Sequence, residues 1–119
     1  MVDMGLRKVK LIIESDLDDV PLVGIAVNRF CSYAAFSETD AFNIELCVIE
    51  AVTNSIKHAY GGKSGHEVTV IFTLSDNEAV FNICDKGKPM DLGIMKEIMD
   101  GVEYQPGKER NCLILKKYL

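Results

Sequence analysis

The spacing of apolar residues along this chain switches from strand to helix and back to strand. Alternation over residues 8–14 predicts a first strand with one apolar face. Ser and Asp at 15–16 then predict a helix start, and apolar residues recur at helical spacing over 22–30 and again over 37–60. The glycine pair at 61–62 is typical of a helix end. The first half is therefore predicted to be a strand followed by two helices.

The second half begins with two alternating segments, residues 67–74 and 79–84, joined by Ser-Asp-Asn, which predict a hairpin. A short helix over 92–99 follows, and the remaining residues predict a strand near 102–104, a turn at 105–107 and a last strand at 112–115. Strands with a single apolar face need covering helices on that face only. The order predicts an α/β fold, a two-layer α/β sandwich with a mixed, mostly antiparallel sheet, built from residues 1–119 as one domain.

The sheet face without helices is expected to be unusually apolar. Ile12, Ile71, Val80 and Ile114 fall on it among polar residues. Such a face predicts a contact surface, either for a protein partner or for a second copy of the chain in a homodimer.

Composition narrows the partners and the compartment. The net charge is −5, and no Lys/Arg cluster is present, so nucleic acid and anionic membranes are not expected partners. The four cysteines form no CxxC pair and lie in apolar segments, which favours buried thiols in a reducing compartment over disulfides or zinc ligands. No signal peptide or membrane-spanning stretch is recognised, so a cytoplasmic protein is expected.

Residues 50–60 (EAVTNSIKHAY) carry the most informative polar row. Glu50, Asn54 and His58 recur every fourth residue in a helical segment and so lie along one side of it. Glu50 can accept a proton, Asn54 offers an oxygen suited to Mg²⁺, and His58 can transfer a proton or donate a hydrogen bond. The same spacing is also typical of a solvated helix face.

A second segment, Asp85-Lys-Gly87, ends the predicted hairpin. The Asp85 carboxylate can accept a hydrogen bond from an exocyclic amine, and Gly87, lacking a side chain, lets a flat ring approach the backbone. An ordinary turn has the same sequence pattern. The glycine-rich residues 61–65 resemble a phosphate loop only superficially, because the spacing differs and they follow a helix.

Together these motifs resemble the histidine kinase-like (GHKL, Bergerat-fold) ATPase superfamily, and most closely bacterial anti-sigma-factor serine/threonine kinases. Residues 50–60 are similar to the family's N box, Asp85-x-Gly87 to its first glycine box, and residues 98–104 and 112–117 to its closing segments. The resemblance implies ATP and Mg²⁺ as cofactors. It also implies a protein partner, either an anti-sigma-factor antagonist that is phosphorylated or a sigma factor that is sequestered.

The resemblance also implies roles for individual residues. Glu50 would be the base that activates a substrate serine, Asn54 would hold Mg²⁺, and Asp85 with Gly87 would bind adenine. His58 is expected among the nucleotide-binding residues. Asn111 stands where relatives usually carry a threonine beside the adenine.

The chain departs from the family between Gly87 and the next helix. Only residues 88–90 stand where relatives have a long lid over the phosphates, and Asp91 takes the place of a glycine. A carboxylate at a helix start caps the free N–H groups and repels phosphate, so ATP binding is expected to be weak or lost. Three classes stay open, namely an active serine kinase, a lid-less interaction module and a sensor of adenine nucleotides.

Overall fold

The computed structural model describes residues 7–89 and 99–119. Its strands and helices follow the predicted order. They are β1 (Arg7–Glu14), α1 (Val20–Cys31), α2 (Glu38–Asn54), β2 (Glu67–Leu74), β3 (Glu78–Asp85), β4 (Gly101–Gln105) and β5 (Asn111–Tyr118), with a 3₁₀ turn at Leu17–Asp19 and a π-helical turn at Ser55–Ala59. The predicted helix over 92–99 lies almost entirely outside the described residues, although Met99 is described and buried.

The strands form one five-stranded sheet in the order β1-β2-β3-β5-β4. Every pair of described strands is antiparallel, so the expectation of a mixed sheet is wrong for this part of the chain. Helices α1 and α2 cover one face. Alternate residues of β2 and β3 are buried there, and Phe30 of α1 packs on Phe72 and Phe81 with ring centroids 5.4 and 6.2 Å away. The predicted two-layer α/β architecture is confirmed.

The ends of α2 follow the local sequence rules. Ser37 is its N-cap, and the Ser37 side chain accepts a hydrogen bond from the Asp40 N–H at 3.0 Å. At the other end the helix widens into the π-helical turn instead of continuing as an α-helix to Tyr60. Gly61 and Gly62 then adopt φ values of 61° and 75°, which side-chain-bearing residues rarely adopt. The predicted glycine stop is therefore confirmed.

Two of the four cysteines do not behave as predicted. Cys84 of β3 and Cys112 of β5 form a disulfide, because the strand register places them directly opposite each other with Cα atoms 4.2 Å apart. Sequence spacing cannot show this register. Cys31 and Cys47 are buried free thiols, as predicted, and burial raises the pKa of each to about 11, with a smaller contribution from Glu45 and Glu50 respectively.

The second face of the sheet has no covering layer among the described elements. Ile12 is 56% exposed there, while Ile71, Val80 and Ile114 are half-buried. Asn82 lies between Ile71 and Ile114 in the strand register, and its side-chain oxygen is buried and receives no hydrogen bond from the described part of the chain. In residues 7–89 and 99–119, no helix has the length and apolarity needed to cross a membrane.

Candidate functional site

The candidate site is centred on Asp85, the last residue of β3. Side chains alternate between the two faces of a strand, and this alternation turns Asp85 toward the helices, where it is only 3% exposed. One carboxylate oxygen, Oδ1, accepts hydrogen bonds from the Gly87 N–H at 3.0 Å and from Asn111 Nδ2 at 3.1 Å. The other, Oδ2, accepts one from Ser55 Oγ at 3.0 Å. This buried charge therefore has three protein donors, as a buried carboxylate requires.

Ser55 connects Asp85 to the polar row on α2. It directly follows Asn54 and begins the π-helical turn, and it is fully buried. Its bond to Asp85 fixes the end of α2 against the end of β3. The row itself lies further out, since Glu50 and His58 are exposed and Asn54 is half-buried. The described residues offer none of these three side chains a hydrogen bond, so their polar groups remain open to a ligand or to water.

The turn after Asp85 packs directly on the π-helical turn. A Cβ atom at Gly87 would lie 2.2 Å from the Ala59 carbonyl oxygen, so only glycine fits there. The Lys88 N–H donates to the same oxygen at 3.0 Å. Gly87 was expected to make room for a flat ring, and that expectation stays a prediction; the structure shows in addition a packing role against the π-helical turn. The turn and the helix end therefore form one tightly packed unit.

Tyr60 secures this unit from the other side. Its hydroxyl donates to the Glu67 carbonyl oxygen at 2.6 Å and accepts from the Lys86 N–H at 2.7 Å. Burial raises the pKa of Tyr60, the carboxylates of Asp85 and Glu67 raise it further, and the Lys86 N–H lowers it. Tyr60 therefore keeps its proton at neutral pH and can act as both donor and acceptor.

Asn111 lies at the start of β5, opposite Asp85 in the register, and is 2% exposed. Besides its bond to Asp85, its Nδ2 group donates to the Gly87 carbonyl oxygen at 2.8 Å, and its Oδ1 accepts from the Gly107 N–H at 3.3 Å. Asn111 is thus brought to the site as predicted, but it binds the carboxylate that was expected to bind adenine. Asp91, the remaining predicted site residue, lies outside the described residues.

A hollow of about 540 Å³ opens beside this unit. Tyr60 and His66 form one wall, with their rings stacked at 4.5 Å. Among the residues that the structure describes, the lining includes five basic side chains and no acidic one, and these residues are His58, Ala59, Tyr60, Gly61, Lys63, His66, Lys86, Gly87 and Lys88. In a chain of net charge −5, this is a local surface suited to anions.

Sequence reasoning missed Ser55 and Tyr60. Both residues were predicted only as parts of the helical segment over residues 37–60. A usable signal was present, because a serine on the apolar side of a helix must find a buried hydrogen-bond partner. The partner could not be named, since it comes from a strand 30 residues later.

This fold and this site define the class of protein. A model of the histidine kinase-like ATPase domain family matches residues 13–93, more than half of the 119-residue chain, and the chain belongs to that family. The matched segment includes both the polar row of α2 and the Asp85-x-Gly87 turn.

Individual relatives agree with this assignment. The serine-protein kinase RsbW of Listeria monocytogenes is 29% identical over 90 residues, which cover 76% of this chain and 57% of the relative. The RsbW of Bacillus cereus is 24% identical over 106 residues, covering 84% of this chain and 66% of the relative. The chain thus spans less than two thirds of the length of these relatives.

A solved structure shows the same fold. The structure of the RsbU and RsbW domains of a Mycobacterium tuberculosis protein superposes with a TM-score of 0.80 at 15% identity, covering 93% of this chain and 32% of that one. The expected resemblance to the histidine kinase-like superfamily, with RsbW kinases among the relatives, is confirmed.

Proposed function

We propose that this chain is an adenine-nucleotide-binding regulatory domain of the anti-sigma-factor kinase type, which phosphorylates or sequesters a protein partner in a transcription-regulating switch. The observation that carries the proposal is the Ser55–Asp85 hydrogen bond, which joins the polar row of α2 to the Asp85-x-Gly87 turn in one unit. Similarity to RsbW serine-protein kinases supports the same activity. A cytoplasmic setting is part of this proposal.

In this function each residue acts through a group that suits its role. Asp85 accepts a hydrogen bond from the adenine amine, and Asn54 provides its amide oxygen to Mg²⁺. Glu50, which is exposed, takes up the proton of an incoming serine hydroxyl. His58 and the lysines around the basic hollow favour the approach of an anionic ligand. ATP supplies the phosphoryl group when it is bound.

The donor and acceptor count at Asp85 fits an adenine amine. A carboxylate has about four lone-pair sites, and protein donors use three of those on Asp85. One site on Oδ2 therefore remains for an exocyclic amine. A ring can reach it only by opening the packed surface, because Asp85 is 3% exposed.

A second function, a sensor or interaction module without phosphoryl transfer, is favoured by Asn111. Its Nδ2 group already donates to Asp85 Oδ1, so three of the roughly four acceptor sites of the carboxylate that would bind adenine are filled without ligand. The short connection after Gly87 and the carboxylate of Asp91 favour the same alternative. In this alternative adenosine is bound nearly as well as ATP, because the phosphates gain little.

Calorimetry with adenosine, Mg²⁺-ADP and Mg²⁺-ATP separates the two functions. A kinase should bind Mg²⁺-ATP and transfer its γ-phosphate to a serine-containing antagonist protein, and Glu50→Gln should abolish the transfer without abolishing binding. A sensor should bind nucleotide and show no transfer. If calorimetry detects no binding of adenosine or of either nucleotide, and the Asp85→Asn variant gives the same result, the nucleotide part of the proposal is wrong.

A further inference from the structure

The disulfide and the candidate site occupy neighbouring positions on the same pair of strands. In the β3–β5 register, Cys84 is opposite Cys112 and the next pair is Asp85 opposite Asn111. Successive side chains of a strand point to opposite faces, so the disulfide lies on the uncovered face and the Asp85–Asn111 pair lies under the helices. The disulfide on one face and the Asp85–Asn111 hydrogen bond on the other face thus connect the same two strands at adjacent residues.

The two sulfur atoms differ in their surroundings. Cys112 is half-buried, whereas Cys84 is 5% exposed. Cys84 lines a small hollow of about 70 Å³ whose lining includes two cationic side chains, Lys86 and Arg110, and two carboxylates, Glu67 and Asp85. Cationic side chains favour the thiolate form of a cysteine and carboxylates oppose it, so this hollow favours neither sulfur. Cys112 is the more exposed residue of the pair and is therefore the better target for an incoming thiolate.

The remaining cysteines are protected from the same chemistry. Cys31 and Cys47 are buried, and burial holds the pKa of each at about 11, so that both are neutral thiols near pH 7. Thiol–disulfide exchange needs a thiolate and an open path. Exchange should therefore be confined to the Cys84–Cys112 pair.

The position of the disulfide matters because Asn111 directly precedes Cys112. Its amide is held by Asp85 and Gly87, and release of that amide would free an acceptor site on Asp85 Oδ1. A cross-link at the adjacent residue limits the separation of β3 and β5 at this point. Without the cross-link, the strand ends can separate and the amide can turn away from the carboxylate.

We propose that Cys84 and Cys112 form a reversible redox-modification site for small thiols and disulfides, in which the oxidised form keeps Asn111 on Asp85 and the reduced form releases it. In reduction, a thiolate attacks Cys112 Sγ, the Cys84–Cys112 bond breaks, and Cys84 leaves as a thiolate. A second thiolate then attacks the small-molecule sulfur of this mixed disulfide, and Cys112 leaves as a thiolate. Two thiols become one small disulfide, and the protein gains two electrons and two protons. Oxidation by a small disulfide reverses these steps.

The test compares the whole chain after treatment with oxidised or with reduced glutathione. Counted under denaturing conditions, two free thiols are expected after oxidation and four after reduction. The solvent exchange of the Asn111 side-chain amide is then followed by ¹⁵N NMR, with its signal assigned from its loss in Asn111→Ser. Reduction should speed this exchange roughly five- to tenfold, the effect of losing about one hydrogen bond. A Cys84→Ser/Cys112→Ser variant should show the fast exchange in both buffers.

The proposal is overturned if four thiols persist in excess oxidised glutathione, or if Asn111 exchanges at the same rate in both states. Because the comparison uses two states of the unaltered chain, it does not depend on the folding of a variant. Control of adenine binding rests on the proposed function and is measured separately, as tighter adenosine binding in the reduced protein. A redox effect on Asn111 without any adenosine binding would support the redox site and refute adenine binding at Asp85.

Discussion

The hydrogen bond between Ser55 and Asp85 should contribute measurably to stability, because it is buried and its acceptor is charged. Ser55 is fully buried, Asp85 is 3% exposed, and Oγ lies 3.0 Å from Oδ2. Hydrogen bonds to charged groups contribute about 1.5–3 kcal/mol, against about 0.5–1.5 kcal/mol for neutral pairs. Ser55→Ala is therefore expected to lower the free energy of unfolding by about 2 kcal/mol, since it leaves Oδ2 without a protein donor.

A matched control is Ser15→Ala. Ser15 is also buried, and its hydroxyl donates to the Lys63 carbonyl oxygen at 2.6 Å and accepts from the His66 N–H at 3.1 Å. Ser15→Ala loses two hydrogen bonds to neutral groups, at about 0.5–1.5 kcal/mol each, so the loss should be about 1–3 kcal/mol. The comparison therefore tests whether one bond to a charged acceptor contributes as much as two bonds to neutral groups.

The assay is urea unfolding under reducing conditions, followed by circular dichroism. A double-mutant cycle with Ser55→Ala and Asp85→Ala isolates the pair, because effects on other neighbours cancel. A coupling energy of about 1.5–3 kcal/mol is expected. A coupling below about 0.5 kcal/mol would show that Ser55 does not connect α2 to β3 energetically, and would remove the observation on which the proposed function is based.

Three further changes test other parts of the molecule. Asn54→Ala should weaken nucleotide binding much more in Mg²⁺ than in EDTA, measured by calorimetry, and equal losses would indicate a structural amide. Val80→Glu should reduce self-association or partner binding in light scattering and pull-down without unfolding the chain, and unchanged assembly would make the apolar sheet face incidental. Tyr60→Phe should cost about 1–2 kcal/mol below pH 10. The pKa of Tyr60 is raised in the folded protein, so the stabilising effect of its hydroxyl is complete below the unfolded pKa of about 10 and is lost as pH rises through the folded pKa. The difference in unfolding free energy between Tyr60→Phe and the unaltered chain should therefore shrink above about pH 10. A difference that stays constant to about pH 11.5 would contradict this expectation.

Local patterns predicted the elements of the fold because their causes are local. The hairpin of β2 and β3 follows from alternation and a turn sequence, and the end of the helical segment after the π-helical turn follows from two glycines. The polar row was also visible, because helical spacing alone places its residues on one side. Its roles came from family resemblance, which carries information that periodicity does not.

What escaped prediction depends on contacts between distant segments. The Cys84–Cys112 disulfide and the Asp85–Asn111 pair both arise from the register of β3 against β5, across about 26–28 residues of sequence. No local rule specifies that register. The packing role of Gly87 escaped prediction for a similar reason, since the group that requires a glycine there is the carbonyl of Ala59, 28 residues earlier in the chain.

The site therefore combines a rigid part and an adjustable part. Ser55, Gly87 and Tyr60 fix the turn after β3 to the end of α2, and each contact is backbone-mediated or buried. Asn111 is different, because its bonds to Asp85 and Gly87 are made by a single side chain that can rotate. Rotation of this side chain would add a free acceptor site on Oδ1 to the one that remains on Oδ2. Under the proposed function, the fixed part would position Asn54 and Asp85 for the nucleotide, and the side chain at position 111 would set how many acceptor sites the carboxylate offers to adenine.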